Sequence, residues 1–108
     1  MVRQEVPDSI ADSPICRTLE VFQGKWNAWV LYVLRENGET RFGELRRLIP
    51  GISNTMLSST LKDLGARGLV MRKQVEGIPP CVLYSLTEKA NALRDVFIAM
   101  NEWGSKYL

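Results

Sequence analysis

Two short helical patterns meet at Pro50-Gly51-Ile52, and the hydrophobic period turns from helix-like to strand-like just past Gly65 and Gly68. Few folds suit a chain so punctuated, because proline and glycine stop helices and set where the next element starts. Residues 41–49 predict a helix with Phe42, Leu45, Leu48 and Ile49 inward. Ser53 is a suitable N-cap, its hydroxyl accepting from an otherwise unpaired amide. It opens a helix over 53–66 with Met56, Leu57, Leu61 and Leu64 toward the core, closed by Gly65 and Gly68. Asn54, Thr55, Ser58, Ser59, Lys62 and Asp63 fall on the opposite face. Residues 69–75 and 82–86 read as paired strands, and the connector Glu76-Gly77-Ile78-Pro79-Pro80-Cys81 is too long for a two-residue turn.

Around this centre the pattern is helical. Residues 1–13 are polar and read as a flexible arm, followed by a short helix with Ile15, Leu19 and Phe22 on one face. Trp26, Trp29, Val30, Val33 and Leu34 have the spacing of a buried stripe, ended by Asn37-Gly38. Thr87 caps a last helix over about 87–106. Residues 14–108 thus form one domain of four helices, two strands and a helix, in the α+β class but mostly α.

Bulk properties exclude several function classes. At 108 residues and 45% hydrophobic the chain is one domain with a real core. No apolar run approaches the roughly 18 residues of a membrane span, and the start lacks a signal-peptide apolar region, so no membrane partner and a cytoplasmic location are expected. Two cysteines and no histidine offer no ligand set for zinc, haem or iron–sulfur, so neither metal nor cofactor is expected. Acid–base or nucleophilic catalysis needs a histidine, an activated cysteine or paired carboxylates, whereas the acids here are scattered, so an enzyme is not expected. The formal charge is −2 over residues 1–22, +4 over 23–85 and zero over 86–108. A basic middle suits a module that binds a polyanion.

Two short helices joined by a tight turn and followed at once by a hairpin make the pattern of a winged helix-turn-helix, with residues 69–86 as a two-stranded wing. In that arrangement the helix over 53–66 enters the DNA major groove. Ser53, Asn54, Thr55, Met56, Ser58, Ser59 and Lys62 are its candidate reading residues. Small hydrogen-bonding side chains let a helix approach base edges closely, and Asn suits adenine. Lys25, Arg41, Arg72 and Lys73 are candidate phosphate contacts, as are Arg46 and Arg47, with Gly77, Pro79 and Pro80 at the wing tip. The rival reading is a winged helix used for protein–protein contact without DNA. Trp26, Trp29 and Tyr32 would suit a small-molecule cavity, but aromatic stripes at this spacing are usually core, so the effector is left unknown.

The last helix carries more apolar surface than one small domain can cover. Leu93, Val96, Phe97, Met100, Trp103 and Tyr107, with Leu19 and Phe22 of the first helix, are the candidate interface of a two-fold homodimer. Such a pair matches an inverted-repeat operator in double-stranded DNA, its half-sites about one helical turn apart. Cys16 and Cys81 are candidate redox residues, against the ordinary alternative of small buried hydrophobes.

The chain resembles the HxlR family of bacterial winged-helix regulators, close to the MarR type. The resemblance covers about residues 13–108 and rests on Gly24-Lys25-Trp26, Arg41-Phe42-Gly43-Glu44-Leu45, Ile49-Pro50-Gly51-Ile52-Ser53, Gly68-Leu69-Val70, Pro79-Pro80, Tyr84-Ser85-Leu86-Thr87 and Trp103. It implies a dimeric transcription factor, with a repressor the expected form and redox or electrophile stress a candidate signal. Two departures stand out. The position of the family's common Cys-Pro pair is Ser13-Pro14 here, with Cys16 three residues on. The wing strand carries Cys81 where an arginine is usual, which is expected to weaken its electrostatic hold.

Overall fold

The computed structural model describes residues 10–108. After a 3-10 turn at Ile10–Asp12 come α1 (Pro14–Val21), α2 (Asn27–Asn37), β1 (Thr40–Arg41), α3 (Phe42–Leu48) and α4 (Asn54–Ala66). The chain continues through β2 (Val70–Val75), β3 (Cys81–Leu86), α5 (Glu88–Asn91) and α6 (Arg94–Tyr107). The arm expected over 1–13 lies largely outside the described residues. Its last residue caps α1, the buried Ser13 hydroxyl accepting from the Cys16 N–H at 3.4 Å.

Local chemistry sets the ends of α4. The Ser53 hydroxyl accepts from the Met56 N–H at 3.1 Å, satisfying one of the amides that a helix start leaves unpaired. At the other end Leu69 N–H donates to the Leu64 carbonyl (2.9 Å) and Gly68 N–H to the Gly65 carbonyl (3.0 Å). This is a Schellman closure, which requires a left-handed residue, and Gly68 supplies it with φ of +74°. Gly65, expected to help stop the helix, lies inside it. The Thr87 hydroxyl accepts from the Ala90 N–H and donates to the Gly68 carbonyl at 2.6 Å, tying the start of α5 to the end of α4.

The sheet has three antiparallel strands in the order β1-β3-β2. β1 is absent from the sequence-based pattern because two residues carry no period. It forms because Thr40 and Arg41 fall opposite Tyr84 and Leu83. On the other side of β3, Tyr84 and Leu83 face Arg72 and Lys73. Strand alternation therefore puts Thr40, Tyr84 and Arg72 on the face of buried Val70 and Leu86, and Arg41, Leu83 and Lys73 on the opposite face.

The core gathers Val30, Leu31 and Leu34 of α2, Leu45 and Ile49 around α3, and Leu57, Leu61 and Leu64 of α4 against the sheet, with Ala90 and Phe97 closing it. Three expectations need correction. In α2 the inward line centres on Leu31, and Trp29 is exposed. The run from Trp29 to Leu34 is apolar all round, so its period cannot set the helix phase, and packing does. In α4, Met56 is 44% exposed while Thr60 is buried. Thr60 stands three residues beyond Leu57 and four before Leu64, so it shares their face, which Met56 leaves by a quarter-turn. The single last helix is two, broken at Ala92-Leu93, where the Leu93 N–H donates to the Ala90 carbonyl at 3.0 Å in a tightened turn. Neither proline nor glycine marks that break. It lets Ala90 and Phe97 both reach the core.

Candidate nucleic-acid interface

The capped start of α4 holds the candidate reading residues on the surface. Asn54, Thr55, Ser58, Ser59 and Lys62 are all exposed and line one open concavity, with Phe42 of α3 at its edge. Ser53 stands exposed at the cap. Met56 turns to a second hollow, shared with Ser59, Asp63, Lys25 and Trp26 beside the α1–α2 connection. On the opposite flank Ser58 and Lys62 meet Arg72 and Tyr84 across the seam between α4 and the sheet. Cations thus stand on both sides of the small polar face: Lys25, its ammonium 4.7 Å from the centre of the Trp26 ring, on one, and Arg72 on the other.

Two of the acids close to this face are engaged, while Glu20 lines the Lys25 hollow with no cation paired to it among the described residues. Asp63 accepts from Arg67 at 3.0 Å and from Asn27 at 3.4 Å. Glu44 accepts from Arg47 at 3.0 Å. The hydrogen bond from Arg47 holds the Glu44 carboxyl below the ordinary carboxylate range, and the same bond raises the guanidinium. Arg47 is therefore a partner of Glu44 on the protein surface. Among the described residues no carboxylate pairs with Lys25, Arg41, Arg46, Lys62, Arg72 or Lys73. Free cations beside a strip of neutral donors and acceptors suit a ligand whose anionic backbone flanks polar edges, as duplex DNA does.

The remaining candidates divide. Arg41 and Lys73 sit together on the sheet face turned away from the core, either side of Leu83, and not beside α4. Gly77, Pro79 and Pro80 are exposed at the hairpin tip, and Ile78 between them is fully exposed. Sequence reasoning missed Tyr84, half-buried with its ring 6.4 Å from that of Phe42. The signal was the strand register, which places Tyr84 opposite Arg72 but depends on the length of the tip.

Of the candidate interface residues, Leu19, Val96, Met100, Trp103 and Tyr107 are exposed. Those of α6 recur at helical spacing and form one stripe. Phe97 is instead buried within its own subunit, edge-to-face with Phe22 and tilted against Tyr32, both at 5.9 Å, and Leu93 packs on the same core. Trp29, Tyr32 and Met100 line an apolar groove between α2 and α6. Cys16 in the first turn of α1 and Cys81 opposite Val75 are half-buried free thiols. Among the described residues no helix is long and apolar enough to cross a membrane.

Comparison with known proteins agrees with this geometry. The family model for the HxlR-like helix-turn-helix matches residues 21–108. An HTH-type transcriptional regulator of Halalkalibacterium halodurans is 45% identical over 98 residues, covering 91% of this chain and 87% of that protein. A crystal structure of a MarR-family transcriptional regulator from Porphyromonas gingivalis superposes with a TM-score of 0.85 at 32% identity, covering 98% of this chain and all of that one. The redox regulator HypR in its reduced form does so with a TM-score of 0.80 at 40% identity, covering 87% and 92%. A helix-turn-helix whose second helix shows small polar residues, set against a wing and matched by the family model over most of its length, leaves one assignment: the chain belongs to the HxlR-like helix-turn-helix family of DNA-binding transcriptional regulators.

Proposed function

We propose that two copies of this chain bind an inverted-repeat operator in duplex DNA, each laying α4 in the major groove, and repress transcription in the cytoplasm. The observation that carries this reading is the concavity of Asn54, Thr55, Ser58, Ser59 and Lys62 at the capped start of α4, with unpaired cations on both flanks. Asn54 and the hydroxyls reach base edges, and the cations hold phosphates. Two-fold pairing through the exposed stripe of α6 and through α1 brings two such helices to successive half-sites. The test is selection of bound duplexes from a random library. Asn54→Ala with Ser58→Ala is expected to relax the selected sequence, and Lys73→Ala to weaken all duplexes alike. Unchanged specificity in the first pair would remove α4 from the reading role. Binding that ignores salt would favour a protein contact over DNA.

Likeness to HypR, solved in reduced and oxidised forms, favours a second element, response to thiol oxidants. Cys16 is its candidate residue, since α1 borders the proposed dimer contact and oxidation there would alter the spacing of the reading helices. Diamide should weaken operator binding in the wild type and in Cys81→Ser but not in Cys16→Ser. Equal responses in all three would end the idea.

A further inference from the structure

The hairpin tip from Glu76 to Cys81 holds no lysine or arginine and one acid, so the electrostatic hold of the wing must lie elsewhere. One cluster of unpaired cations lies at the wing's base. Ser58 and Lys62 of α4 and Arg72 and Tyr84 of the sheet line one cleft between helix and hairpin, with Gly65 leaving room on the helix side. Arg72 and Tyr84 are direct cross-strand partners on the inner face, and the Tyr84 ring lies tilted 6.4 Å from that of Phe42. Among the described residues neither cation has a carboxylate partner, and neither hydroxyl is engaged in a hydrogen bond with another residue. The nearest acid in sequence, Asp63, is occupied by Arg67 and Asn27. Ser58 and Lys62 also line the reading concavity, so a ligand in the cleft would sit at the edge of whatever α4 reads.

We propose that this cleft is a clamp for one phosphodiester of the DNA backbone, held by Arg72 and Lys62 with the Ser58 and Tyr84 hydroxyls donating to it. Guanidinium and ammonium supply the charge, and the two hydroxyls supply direction. Because the residues come from both the reading helix and the wing, the bound phosphate locks the two elements in one register on the duplex. The proposal rests on the DNA reading above and refines it.

The test uses a duplex selected by the wild-type protein, with each phosphate replaced in turn by an uncharged methylphosphonate. In the wild type, one position per half-site should weaken binding about ten-fold or more, about ten-fold being the low end for the loss of a single charge-assisted hydrogen bond. The same replacement should cost the double variant Lys62→Ala, Arg72→Ala far less than the wild type, only the part owed to the Ser58 and Tyr84 hydroxyls, and Tyr84→Phe should show a smaller loss at that position. The salt slope of the double variant should be shallower by about 0.9 for each phosphate it no longer neutralises. Both cations are exposed, so thermal melting should not move. If the double variant keeps the wild-type sensitivity pattern, or if Lys62→Ala and Arg72→Ala silence different phosphates, the clamp is refuted while DNA binding stands. A wild type that selects no duplex at low salt would defeat the underlying reading instead.

Discussion

Replacing Trp103 tests the proposed dimer most directly. Its side chain is 58% exposed on α6 and touches Tyr107, ring centres 5.3 Å apart. A tryptophan offers up to about 250 Å² for burial, which leaves roughly 140 Å² open here. Covering that area contributes at most about 3.5 kcal/mol. Ordering and imperfect packing at an interface consume part of it, so about 1–2 kcal/mol per copy is a realistic share. Two-fold symmetry counts the residue twice. Trp103→Ala should therefore weaken self-association by about 2–4 kcal/mol, or about 30- to 1,000-fold in Kd. Sedimentation velocity over a concentration series reads this directly, and far-ultraviolet circular dichroism should be unchanged because Trp103 lies outside the subunit core. A wild type that sediments as a single subunit at about 50 μM, well above micromolar Kd values, would refute the argument. So would a variant whose association stays within about three-fold of wild type, less than 1 kcal/mol.

Other substitutions probe the fold that presents the site. Ser53→Ala removes the α4 cap and should cost about 1 kcal/mol, lowering the melting temperature by about 4–8 °C for a domain near this size. An unchanged melt would show that the cap is dispensable. Leu57→Ala, at a fully buried position, should cost about 2–5 kcal/mol in denaturant titration, while neighbouring Met56→Ala should stay under about 1 kcal/mol because its side chain faces solvent. Similar costs at the two positions would contradict the helix phase. Glu44 titrates below its ordinary range in the folded chain, so its stabilising contribution is present above the ordinary glutamate value and is lost as pH falls through the depressed one. Stability plotted against pH should lose part of its acid slope in Glu44→Gln, and an NMR titration placing Glu44 at or above the usual glutamate range would disprove the pairing.

Much of the fold was legible because its signals are local. Ser53 and Thr87 act as caps, Gly68 takes the left-handed turn, and the change of period past α4 marks the wing, each through chemistry confined to a few residues. The polar strip of α4 was legible for the same reason, since helical spacing alone separates Asn54, Ser58 and Lys62 from Leu57, Leu61 and Leu64. What depends on neighbours distant in sequence was not. A two-residue β1 exists only because β3 runs beside it, and the break before α6 exists only because Phe97 must meet Phe22 and Tyr32. The phase of an all-apolar α2 is set by which side finds a core, so Trp29 stayed outside and Leu31 went in. The seam joining Lys62 to Arg72 belongs to the same class. Alternation along one strand sets which face Arg72 takes, but only the packing of β2 against α4 turns that face toward the reading helix.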